Sequence, residues 1–352
     1  MRYRVIAPAE LDGGLVSRWL KILSERPDLS GPYFHPTFAR EVGRVRPKTR
    51  VTVIEDREVV GFLGFELGAW GLGRALAGPL SDAHGVVSVP GTEWSAVDLV
   101  RASGLSGWDF DHLVPDHDRF AAFGVARAVS PIIDLSGGMD AYLASIKAGR
   151  LQQRKKTLLK MQKDVGPVEF TVVDRSHATL ETLLRWKSEQ CHSTGIPDMF
   201  GMCWTRDLMH NLLDVVEPGF SGVLSALVVG GRPAALHMGM RSATVWHWWF
   251  PSYNHEFARY SPGSCLLVRS IEEAPAMGIR VIDLGKGDAL YKREVSNAGT
   301  LLLEGRVETW GLTSRVRSQL ARIEAATDRH ATKIMAIPFR AWRRWVRRQK
   351  YR

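Results

Sequence analysis

An imperfect internal repeat constrains the fold of this sequence more than any other feature. Residues 51–67 (VTVIEDREVVGFLGFEL) and residues 227–240 (LVVGGRPAALHMGM) each hold an apolar strand, a polar turn and a second strand of small and apolar residues. The two segments align without gaps around the turn at an offset of 174 residues, close to half of the 352-residue chain. Apolar runs on both sides of such a turn are typical of β-hairpins. The repeat therefore predicts two similar α/β halves.

The formal net charge of +10 is confined to the C-terminal tail. Residues 314–352 contain twelve Lys or Arg and two Asp or Glu, whereas the first 313 residues contain 35 of each sign. A neutral body weakens the argument that the whole protein binds nucleic acid through its high isoelectric point. In residues 339–352, aromatic side chains recur at helical spacing among arginines. This pattern predicts contact with an anionic membrane surface, and a nucleotide regulator, RNA or an acidic protein are alternative partners.

The cysteine pattern indicates a reducing compartment, and the hydropathy of the sequence bears on its location. The three cysteines form no Cys-x-x-Cys pair and have no histidines at zinc-ligand spacing, so we expect no metal site. The N-terminus lacks the apolar core of a signal peptide, and no segment approaches the roughly 18 apolar residues of a membrane span. We therefore expect a cytoplasmic protein that can associate peripherally with the inner face of the membrane.

Four regions follow from the pattern along the chain. We expect an N-terminal half over residues 1–145, a basic linker helix over 146–163, a C-terminal half over 164–313 and a basic amphipathic tail over 314–352. The linker holds seven Lys or Arg and no acid, and a rough apolar stripe predicts that it is helical. The C-terminal half is predicted to run strand, helices, hairpin, strand, turn, helix and strand.

The turn before the last long helix has the chemistry of an anion site. Residues 259–274 read RYSPGSCLLVRSIEEA, in which a polar turn opens into an apolar-periodic helix that Ser264 is predicted to cap. The first N–H groups of a helix lack intrahelical partners, and the helix dipole there favours an anion. The same residues also suit a plain helix start without a ligand.

The C-terminal half resembles the Fem-like branch of the GNAT superfamily. Tyr253, the 261–263 turn, the helix end at 276–278, Asp283 with its following glycines and the 291–292 pair carry the resemblance. More closely, these features are similar to the acetyltransferase-type domain of bacterial polysaccharide-synthesis loci. The resemblance covers roughly residues 30–310. It implies an α/β (α+β) fold of two tandem GNAT-like domains, each with a mixed, mostly antiparallel sheet flanked by helices.

The resemblance also implies an acyl-donor site and a reacting centre. The donor's pyrophosphate is expected on the turn between the fourth strand and the next helix, at Arg259, Tyr260, Ser261, Gly263 and Ser264. Pro262 has no N–H, so Arg259 is expected to replace missing backbone contacts. Lys292 is the family's candidate for stabilising negative charge near the reacting group, and a solvated helix lysine is the alternative.

Two residues compete for the role of general base, and four aromatic residues are candidates for substrate contacts. His237 has the more suitable ordinary pKa but is equally typical of a packed strand residue. Asp283 ends a buried strand and could act as the base or cap the glycine turn. Trp248 and Trp249 lie on opposite faces of one predicted strand, and core packing is favoured for one face. The four candidate substrate contacts are Trp248, Trp249, Tyr253 and Tyr291.

Three functions remain open from the sequence. The first is N-acylation, dependent on acetyl-CoA and without a metal, of an amino group on a sugar or sugar-linked intermediate of envelope or exopolysaccharide synthesis. The second is Fem-like peptidyl transfer from aminoacyl-tRNA, with the basic linker on the RNA. The third is a degenerate, non-catalytic GNAT pair that binds an anionic ligand or organises a synthesis complex.

Overall fold

A computed structural model describes residues 1–114, 119–146 and 149–309. The chain forms two compact units that are not contiguous in sequence. Of the described residues, the first unit comprises Met1–Glu25, Val42–Arg127 and residues 303–309, and the second comprises Arg26–Glu41 and Ala128–Leu302. Among the described residues, no helix is both long enough and apolar enough to cross a bilayer.

The first unit is a twisted sheet with helices packed against it. The helices and strands of residues 1–113 are, in chain order, β1 Arg2–Ile6, α1 Gly13–Ser24, α2 Pro36–Val45, β2 Thr49–Asp56, β3 Glu58–Leu67, β4 Leu72–Arg74, β5 Val87–Ser88, α3 Ala96–Ala102 and β6 Gly107–Leu113. The strand order is β1, β2, β3, β4 and β6, with β5 paired to β3. All these pairings are antiparallel except that between β4 and β6.

The second unit repeats this plan with longer strands. Its elements are β7 Gly124–Asp134, α4 Gly138–Ser145, α5 Gly149–Val165, β8 Val168–Asp174, α6 His177–Thr194, α7 Cys203–Asp214, β9 Val216–Glu217, β10 Phe220–Val229, β11 Arg232–Ser242, β12 Val245–Tyr253, α8 Pro262–Glu273, β13 Val281–Asp283, α9 Leu290–Val295 and β14 Ala298–Glu308. The strand order is β8, β10, β11, β12, β13 and β7, and here too one inner pair, β12 with β13, is parallel. The last strand, β14, passes into the first unit and pairs there with β6.

The predicted repeat is confirmed as two equivalent hairpins. β2 and β3 form the first hairpin around Arg57, whose φ of 62° is left-handed. β10 and β11 form the second around Gly230 and Gly231. Each unit therefore has a mixed, largely antiparallel sheet flanked by helices, as expected.

The units divide the chain differently from the predicted boundaries at 145/146 and 163/164. The basic helix α5 is not a separate linker, because Leu151 and Met161 are buried in the core of the second unit. Residues 26–41 lie early in the sequence, yet they also belong to the second unit. The boundary lies near residue 127, within β7, because strand pairing rather than chain order decides which residues pack together. The predicted amphipathic tail over 314–352 lies outside the described residues.

Each unit has its own apolar core. In the first, Trp108, Phe110 and Phe120 form a cluster of aromatic rings with centroids 5.5 to 5.8 Å apart. In the second, α8 buries one face against β11 and β12, where Trp246 and Trp248 are almost fully buried. Burial of rings of this size contributes a large share of the hydrophobic stabilisation.

Candidate active site

The parallel strands β12 and β13 bring a histidine and a carboxylate together. His247 and Asp283 are Cα partners in the parallel register, and His247 Nδ1 lies 3.8 Å from Asp283 Oδ2. β13 ends at Asp283, whereas β12 continues for six residues to Tyr253. The two strands therefore stop pairing immediately beyond the His–Asp pair.

Asp283 is held as a carboxylate by three groups. The Ser130 hydroxyl donates to Oδ1 at 2.5 Å, and the Gly285 N–H donates to the same oxygen at 2.9 Å. Burial alone would raise the pKa of Asp283, but His247 and these two hydrogen bonds outweigh it and lower the pKa. Asp283 thus caps the glycine turn, as one prediction had it, while its second oxygen faces His247. A carboxylate with a lowered pKa is a weak base and is better suited to orienting an imidazole.

His247 is buried against a segment from the start of the chain. A 3-10 turn at Pro32–Phe34 places the Tyr33 ring edge-to-face with His247, with centroids 4.9 Å apart. Tyr33 also contacts Trp249 at 5.8 Å. From the sequence, His247, Tyr33 and Ser130 were not assigned to the site. The available signal was the alternation in WHWWF, which puts His247 and Trp249 on one face.

His237 is buried inside the sheet. Its side chain is fully buried, stacks on Trp248 with ring centroids 3.6 Å apart, and accepts the Trp249 N–H at Nε2 over 3.1 Å. The β11–β12 register slips at this point, and Gly239 lies beside His237. Burial, followed by the nearby His247, lowers the pKa of His237 well below its ordinary value. Because its Nε2 lone pair is already used, this placement favours the packing alternative over the role of base.

The helix that follows β12 starts differently from the prediction. Ser264 does not cap it: α8 begins at Pro262, and the N-cap is Ser261, in a left-handed conformation with φ 50° and no side-chain capping bond. The Ser264 N–H donates to the Ser261 carbonyl at 3.0 Å. Since Pro262 has no N–H, Gly263 supplies the remaining N–H of the first three helical residues. This helix start carries no acidic side chain in its first turn.

Arg259 is held in place beside this helix start. It ends a 3-10 turn at His255–Tyr260, and its guanidinium lies over the Tyr260 ring, 4.7 Å from the centroid. Its Nη2 donates to the Tyr260 hydroxyl at 2.6 Å, and that hydroxyl donates to Asp164 of α5 at 2.9 Å. The buried Tyr260 therefore acts as a support for the cation and offers no free surface to a ligand.

Lys292 stabilises the loop that follows Asp283. Its ammonium donates to the carbonyls of Gly285 and Lys286 at 2.9 and 3.1 Å. Tyr291, whose pKa is raised by burial, lines a small cavity with Ser264. Lys292 thus contacts the loop after β13, and Tyr291 lies beside the first turn of α8.

The predicted aromatic contacts separate into buried and accessible rings. Trp248 is 2% exposed and belongs to the core, so it offers no face to a substrate. Trp249 lies on the His247 face and stacks on Phe250 with centroids 4.5 Å apart. Tyr253 is 40% exposed at the end of β12, within reach of Gly263. In the described ranges, no group of three or more His, Cys, Asp or Glu is arranged to hold a metal ion.

Comparisons with known proteins identify the fold. Residues 149–293 match the model of an acetyltransferase (GNAT) domain. No curated protein matches the sequence. Among solved structures, FemX is similar over 91% of this chain and 99% of its own, at 11% identity and a TM-score of 0.59.

Two further structures share the fold. The C-terminal domain of a putative lysylphosphatidylglycerol synthetase from Agrobacterium fabrum aligns with 89% of this chain and 96% of its own, at 14% identity and a TM-score of 0.53. A tandem GNAT protein from the clavulanic acid biosynthesis pathway aligns with 88% of this chain and 99% of its own, at 12% identity and a TM-score of 0.51. Residues 149–293 thus match an acetyltransferase (GNAT) domain, and the chain as a whole shares its fold with FemX and with the tandem GNAT protein.

Proposed function

We propose that this enzyme transfers an acetyl group from acetyl-CoA to a primary amine on a sugar or sugar-linked intermediate of envelope or exopolysaccharide synthesis. The observation that carries the proposal is the buried His247–Asp283 pair, which lies where the pairing of β12 with β13 ends. The free start of α8 follows at the far end of β12. β12 thus carries the basic group, and the chain that follows β12 leads into a helix start that attracts anions.

The reacting centre needs one base and one orienting carboxylate. The neutral amine attacks the thioester carbonyl, so that a C–N bond forms and the C–S bond breaks. His247 accepts the proton that the amine loses and passes it to the departing thiolate, which leaves as the thiol. Asp283, ionised because its pKa is lowered, stabilises the imidazolium in between. A positioned general base of this kind contributes about 10²–10⁴-fold to the rate.

The acyl donor would be held at the start of α8. Pro262 and the bonded Ser264 N–H leave a sparse set of backbone groups for a pyrophosphate. Arg259 compensates for this because its guanidinium is already fixed on Tyr260 and can make charge-assisted contacts. The residues present therefore fit an anionic donor, with Arg259 as the main charged contact and the Gly263 N–H as the main backbone contact.

A second candidate is transfer from aminoacyl-tRNA to a peptidoglycan precursor. The observation that favours it is the outer side of α5, where Lys156, Lys160 and Lys163 are all exposed to solvent. The sparse phosphate contacts at α8 point in the same direction. In this case the ester of the charged tRNA replaces the thioester, and α5 contacts the RNA backbone.

Binding of the donor separates the two candidates. Titration calorimetry with acetyl-CoA is expected to give saturable binding that Arg259→Ala weakens at least tenfold. Arg232→Ala is the matched control, because Arg232 also lies over a ring of the same turn, 5.0 Å from the Phe257 centroid. Binding of charged tRNA without any response to CoA thioesters would overturn the acetyl-CoA proposal. Turnover is then measured with a panel of amino sugars against the corresponding neutral sugars.

A further inference from the structure

A cavity of about 590 Å³ lies in the second unit, between the C-terminal part of α6 and the end of β12. One wall is formed by side chains within residues 186–194 of α6, and the other by residues 251–255, where β12 leads into the next 3-10 turn. Neither His247 nor Asp283 lines the cavity. A volume of this size is typical of sites for small molecules. The cavity is therefore a candidate ligand site apart from the reacting centre.

Aromatic rings supply the apolar part of the lining. Tyr253 is 40% exposed, and its ring centroid lies 5.1 Å from that of His255. Trp186 lies on the α6 wall and stacks on no ring of the described residues. Aromatic rings that are neither buried nor stacked on a neighbour offer their faces to the C–H groups of a ligand.

The side-chain amides on the two walls have donors to spare. Gln190 Oε1 accepts from Lys187 Nζ at 3.0 Å, and Asn254 Oδ1 accepts the Glu256 N–H at 3.0 Å. In both residues the carbonyl oxygen is thus used, while the amide N–H groups make no hydrogen bond within the described ranges. The cavity therefore presents hydrogen-bond donors from both walls.

The lining also carries an uncompensated carboxylate. Glu189 is exposed and makes neither an ion pair nor a hydrogen bond with any described residue. Lys187, two positions earlier, is engaged by Gln190 and lies over the Phe200 ring, 5.6 Å from its centroid. Among the described residues, no Lys or Arg lines the cavity. Glu189 therefore accepts hydrogen bonds from a ligand and repels an anionic one.

This combination suits a sugar ring. A pyranose has faces of C–H groups, which pack on aromatic rings, and a rim of hydroxyls that both donate and accept hydrogen bonds. The Ser193 and Thr194 hydroxyls donate to the Gln190 carbonyl at 2.9 and 2.8 Å, so their oxygens stay available as acceptors. A purely apolar ligand would leave the polar groups of both walls without partners, which costs binding free energy.

We infer that this cavity binds the pyranose ring of an uncharged or amino sugar. The ring packs on Trp186 and Tyr253, Glu189 accepts hydrogen bonds from its hydroxyls, and the amides of Gln190 and Asn254 donate to them.

The position of the cavity identifies which sugar it holds. Tyr253 lies six residues beyond His247 on β12, about 20 Å along an extended strand. A single sugar ring does not span this distance, so the bound ring is not the one that reacts. It belongs to a longer acceptor. This last step rests on the proposed function, whereas sugar binding at the cavity does not.

Glucose and glucosamine test the inference. Glucuronate serves as the anionic sugar of the same shape, and cyclohexanol as a ring of the same size with a single hydroxyl. The readout is the indole N–H resonance of Trp186 in an NMR titration of the full chain, assigned by its absence in Trp186→Phe. Glucose and glucosamine are expected to shift this resonance and to saturate, whereas glucuronate and cyclohexanol are not.

Glu189→Gln removes the charge and keeps the shape of the side chain. It is expected to weaken glucose binding about fivefold, because charge-assisted hydrogen bonds become neutral ones. It is also expected to let glucuronate bind with an affinity close to that of glucose. The matched control, Asp207→Asn, removes an exposed acid of α7 outside the cavity and is expected to change neither affinity.

Tyr253→Ala tests the aromatic wall at an exposed position, where the fold does not depend on the ring. It is expected to weaken glucose binding about fivefold through the loss of stacking. Leu159→Ala, at a 67% exposed position of α5, is the control and is expected to have no effect.

Four results would each overturn the inference: no saturable response to glucose, an equal response to glucuronate in the wild type, binding of glucosamine alone, or variants that behave like their controls. The calorimetric titration with acetyl-CoA tests the proposed function separately. Absence of acetyl-CoA binding would contradict that function and leave the sugar site intact, and absence of a Trp186 response would do the reverse.

Discussion

The two units build the same parallel strand pair and fill it with different side chains. In the second unit the pair aligns an imidazole with a carboxylate. In the first, the residues that follow the last β4–β6 pair are Arg74 and Asp109, and Asp109 is already paired with Arg306. Both units have the same backbone arrangement of a hairpin and a parallel neighbouring strand, because this arrangement depends on apolar patterning and turn geometry. The chemistry depends on two or three side chains, and these differ between the units.

The strand that precedes the helix also differs in length between the two units. β12 has nine residues and leads through one 3-10 turn into α8, whereas β4 has three residues and is separated from α3 by residues 75–95. A long strand followed by a short turn brings the helix start close to the strand end. In the second unit a His–Asp pair is thus followed by a helix start whose N-cap makes no side-chain hydrogen bond, which supports our proposal that catalysis takes place there.

The largest effect is expected from His247. His247→Asn should lower kcat by about 10²–10⁴-fold, because the base is removed while the strand pairing stays intact. Acetyl-CoA affinity should be unchanged. Single-turnover kinetics beside calorimetry check this, with the surface variant His177→Asn as the control. A His247→Asn enzyme with full activity would break the distinction between the two units.

The next largest effect is expected when a methyl group is added to a glycine in each hairpin, at Gly239 in the second unit and at Gly64 in the first. A Cβ at Gly239 would lie 2.3 Å from the His247 carbonyl oxygen and 2.7 Å from His237, whereas a Cβ at Gly64 would meet only the Leu76 side chain, at 2.7 Å. Leu76 can move, but a strand carbonyl cannot move without loss of pairing. Gly239→Ala should therefore cost about 3 kcal/mol of unfolding free energy, and Gly64→Ala clearly less. Urea unfolding of both variants measures the difference, and equal costs would contradict it.

Lowering the pH should reduce the stability of the protein through buried histidines of the second unit. Burial lowers the pKa of His35, which stacks on Phe220, to about 4. The unfolded chain takes up this proton below pH 6.5 but the folded chain does not until about pH 4, so stability falls as pH falls between these values. At pH 5 the loss amounts to about 2 kcal/mol relative to pH 7. Buried His237, with its lowered pKa, acts in the same sense.

Urea unfolding of the wild type and of His35→Gln at pH 7 and pH 5 tests the effect. The difference in unfolding free energy between the two pH values should shrink in His35→Gln. The exposed variant His255→Gln should keep the wild-type difference. An unchanged pH dependence in His35→Gln would show that this histidine does not couple folding to protonation.

Local patterns were sufficient to predict the framework from the sequence. The alternation of apolar residues around the turns at 55–57 and 230–231 predicted both hairpins, and the glycine at 278 predicted the end of the helix segment. These features depend on neighbours a few residues apart. The division into units could not be predicted, because residues 26–41 pack with strands that follow about 200 residues later in the sequence.

Only those parts of the candidate site that depend on neighbouring residues in the sequence were predicted. Asp283 and the 259–264 turn carry their own signal in adjacent glycines and in a helix start. The role of His247 becomes visible only when β12 and β13 are aligned in parallel, and Ser130 is joined to Asp283 across 153 residues of sequence. His237 was predicted as a candidate base because the sequence gives no signal of the shift in strand register beside it. With that shift, the Trp249 N–H donates to His237 Nε2.

The two helix starts provide the smallest and most direct comparison. The Ser95 side chain caps α3, whereas the Ser261 side chain makes no capping bond and its backbone is left-handed. Ser95→Ala should therefore cost about 1 kcal/mol of stability. Ser261→Ala should cost almost nothing by loss of a cap, and Ser261→Gly should be neutral or stabilising because glycine adopts positive φ without strain. Thermal unfolding ranks the three variants. A loss in Ser261→Ala as large as that in Ser95→Ala would mean that the α8 start is closed by its own side chain, and the helix start would then be unavailable to an acyl donor.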